Sequence, residues 1–287
     1  MSSSTPDIST RIARLFVYPV KSCAGVEVSE ALLTETGLDL DRAWMVVDEQ
    51  GEFVSQRELP RMALIRVVLK YSEVVLRAPG MLALHLQIEA VEEPVKVRVW
   101  DDEVNAYDMG AVAAQWFSDF LGRKLRLVRF DPDERRLSDR KWTSGAEALN
   151  QFSDGFPLLV ASEGSLAELN RRLAQAGHEA VGIERFRPNI VLAGLEAHDE
   201  DRVEVLGIAA DQEVQLRLVK PCPRCPIPDI DPATGLSSPQ VSSTLRTYRS
   251  NELVNGAVTF GMNAIVLQGL DQMLKVGQPV TGNFRFD

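Results

Sequence analysis

The sequence predicts a β-rich α+β protein of barrel-like architecture, and three features lead to that class. Short runs of alternating apolar and polar residues recur along the chain, the period-two pattern of half-buried strands. Only two segments stand out with the wider period and capping residues of an amphipathic helix. Several strands separate those helices instead of alternating with them, which disfavours a doubly wound parallel sheet.

In chain order, Val95, Val97 and Val99 alternate with polar residues up to Trp100. The first helix follows, with Asp108 as its cap, Val112, Trp116 and Phe120 on its apolar face, and Gly122 as its stop. Leu125, Leu127 and Val128 lead as a strand into Phe130. From Asp131 to Ser144 the chain turns strongly polar, the best candidate for a boundary. Ser165 and Glu168 then read as a capping box ahead of Leu166, Leu169 and Leu173, closed by Gly177. Val214, Leu216 and Leu218 alternate directly into Lys220-Pro221-Cys222, and Ala264–Leu267 is a short run suited to a buried strand.

Composition narrows the function classes. The 287 residues are 45% apolar and 25% charged, which is ordinary for a globular protein. A net charge of −10 argues against a general nucleic-acid binder, though it leaves room for a local basic pocket. Met1 to Arg14 is polar, with Ser2, Ser3, Ser4 and Pro6, and lacks the apolar core of a secretory signal. No stretch approaches the roughly 18 apolar residues of a spanning helix. Three cysteines suit a reducing compartment, so a cytoplasmic location is the expectation.

Chemistry concentrates in Lys220-Pro-Cys-Pro-Arg-Cys225-Pro-Ile-Pro-Asp229, continuing to Asp231-Pro-Ala-Thr-Gly235. A redox dithiol needs a helix starting at its first cysteine, and Pro221, Pro223, Pro226 and Pro228 oppose one. A closed zinc site needs four ligands, and only Cys23, His85, His178 and His198 remain as obvious further donors. Two inert buried thiols, or one thiolate on a soft redox metal, are the remaining readings. The residues alone leave these open.

Several separated motifs narrow the choice. They are Tyr18-Pro-Val-Lys-Ser-Cys-Ala-Gly25, Asp41-Arg-Ala-Trp44, Ser153-Asp154 before Pro157, Arg185-Phe-Arg-Pro-Asn-Ile190, the cysteine segment, and Phe260-Gly261. In this order, from about Ile12 to Val280, the chain resembles the MOSC superfamily, in particular the two-part proteins that include mitochondrial amidoxime-reducing components and their bacterial relatives. The resemblance implies a MOSC N-terminal β-barrel region over 9–135, and a MOSC β-barrel domain over 145–287 with a few peripheral helices. It implies a molybdenum cofactor (Mo-molybdopterin) with Cys225 as the protein's metal ligand and Cys222 as a neighbour. It places Lys21, Ser22, Arg42 and Arg187 on the pterin phosphate, and Pro223 and Arg224 beside the metal. Asn189, Asp154 and Asn263 fall near the pterin or metal pocket, Asp154 as a candidate catalytic residue. Lys21 and Arg42 should then share a pocket with Cys225, which returns the N-terminal segment to the second barrel.

The function implied is an oxidoreductase that reduces N-oxygenated compounds: amidoximes, hydroxylamines and N-hydroxylated bases. Some relatives carry a ferredoxin domain, but the three cysteines here do not supply its four ligands, so an external ferredoxin or flavin reductase is the expected donor. The mitochondrial members' membrane anchor has no counterpart in Met1–Arg14. Pro223 departs from the small polar residue often found in relatives and removes one backbone N–H. A cofactor carrier or sulfur-handling MOSC module without small-molecule turnover is the alternative.

Overall fold

A computed structural model describes residues 6–90 and 92–285; Ser2–Ser4 lie outside the described residues. Seven strands close into a barrel. In ring order they are Leu158–Ser162, Ile190–Ala193, Ile8–Val17, Pro279–Phe284, Val203–Ile208, Val214–Pro223 and Ala257–Gln268, which pairs back onto Leu158–Ser162. The neighbours are antiparallel except Leu158–Ser162 with Ile190–Ala193. A parallel pair needs a crossover, and the helix Glu163–Gln175 supplies it. Ile12, Leu15, Val160, Ile190, Leu192, Leu206, Leu216 and Val280 fill the interior.

The strand Ile8–Val17 therefore serves a barrel whose other members come from the second half of the chain. Leu15 faces Ile190 and Ile8 faces Gly282 across the two ladders. Closure between Ala257–Gln268 and Leu158–Ser162 passes through Gly261, at φ 75°, where a Cβ would meet Val160 O at 2.7 Å. Only glycine suits that close approach.

A second, smaller ring lies in the first half. Trp44–Val47, Arg126–Phe130, Asp102–Asp108 and Pro94–Val99 form an antiparallel sheet in that order. Bridges from Phe53 to Val47 and from Glu52 to Arg98 link its two edges around Met45, Val97, Val104, Val128 and Phe130. Beside it sit the meander Arg66–Leu69, Glu73–Arg77, Leu84–Gln87 and the helix Gly110–Leu121.

Two details differ from expectation. The first helix uses Asp108 Oδ1 to accept from Gly110 N and stops at Gly122 in the left-handed region. Its buried stripe, however, centres on Ala113, Phe117 and Phe120, which leaves Val112 in solvent. The next helix begins three residues early: Ser162 Oγ caps it by accepting from Ser165 N, because the strand Leu158–Ser162 runs straight into it. Ser165 Oγ instead donates to buried Glu200, and Glu168 holds Arg171 and Arg172.

Candidate functional site

The strand Val214–Pro223 carries Cys222, and its ladder with Ala257–Gln268 is irregular between Leu218 and Lys220 and again between Pro221 and Pro223. Arg224 N donates to Val258 O, and Cys225 then leaves the sheet ahead of the short 3₁₀ turn Ile227–Asp229. No regular helix follows Cys222, so the dipole that activates a redox dithiol is missing there. The following Asp231-Pro-Ala-Thr-Gly235 folds into a tight loop: Asp231 Oδ1 accepts from Ala233 N, and Asp231 O accepts from Gly235 N. These bonds fix the shape of the loop that follows the cysteine segment.

Tyr18–Gly25 and Asp41–Trp44 are clipped together by backbone bonds. Arg42 N donates to Tyr18 O, Trp44 N to Pro19 O, and Lys21 N to Trp44 O. Asp41 accepts from Tyr18 N and pairs with Arg42. The fully buried Tyr18 ring packs against two guanidinium groups, with Arg42 Cζ at 4.4 Å and Arg187 Cζ at 4.3 Å from its centre. Gly25 lacks a Cβ because Tyr18 Cε1 would stand 2.4 Å from it. Ser22, Arg42 and Arg187 all hold left-handed φ angles of 69°, 53° and 58°. Such conformations are uncommon outside glycine and gather at functional sites.

Arg187 Nη1 donates to Cys23 O at 2.6 Å, while its Nη2 is buried with no partner. Burial, with Arg42 close by, lowers its pKa to about 10, so it stays charged at neutral pH. Burial pushes the Cys23 thiol up to about 12, which keeps that residue an inert part of the core. Asn189 is also buried. Its Oδ1 accepts from Arg42 Nη1 and Leu159 N, and its Nδ2 donates to Phe16 O. It ties three elements together beneath the pocket.

The loop carrying Asp154 is held from below. Buried Arg136 donates through Nη1 to Asn150 Oδ1, Gln151 O and Ser153 O. Lys21 Nζ donates to Phe152 O at 2.8 Å and to Asp154 Oδ1 at 2.5 Å, and Trp100 Nε1 adds a bond to that same oxygen. Desolvation works against a charged Asp154, but Lys21, Trp100 and Arg42 outweigh it. They hold the carboxyl well below the usual carboxylate range. Its side chain is 68% exposed, so water also solvates the charge. Burial lowers Lys21, and its ion pair with Asp154 opposes that shift.

Lys21, Ser22, Arg42, Asp154, Arg187, Asn189, Pro223, Arg224, Cys225 and Asn263 all line one cavity of about 190 Å³. Arg224 Nη1 lies 3.0 Å from Cys222 Sγ, its Nη2 donates to Phe186 O, and Asn263 Nδ2 donates to Lys220 O. Phe186 and Phe260 stack at 3.8 Å, which joins two of the motifs behind the wall. His85, His178 and His198 do not line the cavity. Phe53, Ser55 and Arg57 also line it, and no motif signalled them; Lys220, at the head of the cysteine segment, lines it too. Arg136 was hidden inside the polar segment read as a boundary. The charge balance is lopsided: Lys21, Arg42, Arg57, Arg187, Lys220 and Arg224 face the single carboxylate of Asp154. This is a cavity for an anion, set in an acidic protein.

The MOSC N-terminal beta barrel domain matches residues 9–124, and the MOSC domain matches residues 148–281. The chain belongs to the MOSC family. Mitochondrial amidoxime reducing component 2 of Homo sapiens is similar to it at 34% identity over 286 residues, covering 94% of this chain and 82% of that protein. Mitochondrial amidoxime-reducing component 1 of Homo sapiens is 35% identical over 284 residues, with the same two coverages. A molybdenum cofactor sulfurase of Bos taurus is 31% identical over 276 residues, covering 89% of this MOSC chain and 31% of the sulfurase. Among the described residues, no helix is long and apolar enough to cross a membrane.

Proposed function

We propose that this MOSC protein is a molybdenum-cofactor-dependent reductase of N-oxygenated compounds such as amidoximes, hydroxylamines and N-hydroxylated bases. One observation carries the reading: the Cys225 segment and the Lys21–Ser22–Arg42–Arg187 cluster, far apart in sequence, line the same cationic cavity. The residues fit a molybdopterin. The unpartnered Nη2 of Arg187 is a buried donor in want of an acceptor, the role a pterin phosphate fills. Cys225 offers a thiolate of the soft kind that such a metal takes. Among the described residues, no cluster of three or more His, Cys, Asp or Glu side chains is arranged to hold a metal alone. A metal at Cys225 would draw its other ligands from the cofactor.

In this reading Cys225 holds the metal, Arg42 and Arg187 hold the phosphate with Lys21 and Ser22, and Arg224 with Pro223 shapes the wall beside the metal. When bound, the cofactor supplies two electrons that, with two protons, cleave the N–O bond and leave the reduced nitrogen compound and water. Asp154, held ionised at neutral pH, accepts hydrogen bonds from the substrate's N–H or O–H groups instead of donating a proton. An external donor, a ferredoxin or flavin reductase, returns the electrons. The three unpaired cysteines suit a reducing compartment.

The test is metal and pterin content, with benzamidoxime reduction by an artificial donor, for protein from a molybdenum-replete host. Wild type should carry near-stoichiometric molybdenum and pterin and turn over the substrate; Cys225→Ser should lose metal and turnover. Empty wild type, or full metal in the variant, refutes the assignment. The partial match to the sulfurase favours a second reading, a carrier of the cofactor. A carrier would load with metal, leave benzamidoxime untouched, and activate an apo-enzyme.

A further inference from the structure

We infer that Arg57, with Trp100 and Phe53, forms a separate subsite at the same cavity that recognises a planar substrate bearing an anionic group. The inference rests on the reductase reading for what the substrate becomes. Arg57 is not among the residues assigned to the cofactor, although the ring centre of its neighbour Phe53 lies 5.5 Å from the Nζ of Lys21, which is. All three side chains come from the first-half sheet and its linking segment, on the Asp154 side of the cavity.

Arg57 lines the cavity, and its Nε donates to buried Ser55 Oγ at 3.2 Å. Its guanidinium carbon lies over both rings, 4.5 Å from the Trp100 centroid and 5.9 Å from the Phe53 centroid. Those rings meet each other at 4.9 Å. Among the described residues, no carboxylate lies within ion-pair distance of Arg57. The other arginines and Lys21 are engaged differently: Lys21 pairs with Asp154, Arg42 with Asp41, and Arg187 and Arg224 donate to backbone carbonyls. Lys220 lies over the Trp142 and Phe156 rings.

Arg57 is thus a braced fork with free donors, fixed in direction by Ser55 and the two rings. A fork so held recognises a carboxylate or phosphate in two-point fashion. The aromatic surface beside it favours a flat ring over a flexible chain. Trp100 links the subsite to the reacting end, because its Nε1 fixes Asp154 Oδ1. A planar compound with an amidine-type group at one end and an anion at the other matches both.

The test uses the holoenzyme and two amidines, the products of N–O reduction: benzamidine and 4-carboxybenzamidine. Binding is read by calorimetry, so no turnover is required. Wild type should prefer the carboxylated probe. In Arg57→Ala that preference should fall about tenfold or more, the loss expected for a charge-assisted hydrogen bond. Arg57→Lys should keep part of it, and metal and pterin content should stay at the wild-type level in both. An unchanged preference overturns the inference. Loss of pterin from Arg57→Ala also overturns it, because Arg57 would then be a cofactor ligand. If Arg57→Ala does not fold, Arg57→Lys and Trp100→Leu decide by the same ratio. A preserved preference in a wild type that reduces no amidoxime would sink the reductase reading and leave the subsite standing.

Discussion

Two adjacent arginines offer a sharp comparison of what burial does to charge. Arg135 Nη2 reaches Glu147 at 3.3 Å with side chains 60% and 63% exposed, so that pair contributes about 0 to 1 kcal/mol at most. Arg136 is 5% exposed and donates to three acceptors in the loop that carries Asp154. Its ion pair with Asp102, itself half exposed, adds little. In Arg136→Met the Asn150 side-chain oxygen keeps a donor in Ser153 Oγ. The carbonyls of Gln151 and Ser153 each lose the Arg136 bond. Leaving a buried acceptor unmet costs about 1–3 kcal/mol, and the half-buried Gln151 carbonyl can turn to water. The expected destabilisation is therefore about 2–4 kcal/mol for Arg136→Met, against less than about 1 kcal/mol for Arg135→Met. Urea unfolding at pH 7, with slopes compared first, measures both. Equal losses in the two variants, or a loss below about 1 kcal/mol in Arg136→Met, would refute the claim that Arg136 supports this loop.

Two further outcomes are expected. Burial, with Arg249 near, lowers His198 to about 4, and neither ring nitrogen finds a partner. The unfolded chain, with an ordinary value near 6.5, then binds more protons between these two pH values. Stability should fall as pH drops from 6.5 toward 4, by on the order of 1 kcal/mol at pH 5, and His198→Phe should flatten the urea midpoint between pH 7 and 5. Tyr18 buries a hydroxyl without a partner while its ring packs against two guanidiniums. Tyr18→Phe should keep or raise the thermal midpoint, whereas Tyr18→Leu should lower it by removing the stacking face.

The pocket was legible because its walls are built from residues with local backbone demands. Positions such as Arg42 and Arg187 adopt left-handed angles beside a fixed ring, and Gly25 yields space to Tyr18, so each leaves a short contiguous motif. The strands into Cys222 and around Val97 were legible from alternation alone. Arg57 and Arg136 were not, because a charged residue in a polar run looks the same whether it is solvated or folded beneath a loop. Only tertiary placement separates Arg135 from Arg136. The helix face was misread at Val112 because an apolar residue can join a stripe's spacing while lying past its edge. The cap was read at Ser165 because only Ser165 has a glutamate three residues on to complete a capping box, whereas the strand before the helix makes Ser162 the cap that is used.

The placement of Ile8–Val17 has a consequence for how the chain is made. Asp7 Oδ2 accepts from Phe284 N across 277 positions, so the first stave leaves the ribosome long before its neighbours exist. Until Pro279–Phe284 is synthesised, the barrel has a gap with two bare edges, and contacts of such long range form slowly. The smaller ring, whose strands span only Trp44 to Phe130, can assemble while translation continues. During that interval the newborn protein is a finished ring trailing an unfinished one, and its exposed strand edges are where a chaperone would be needed.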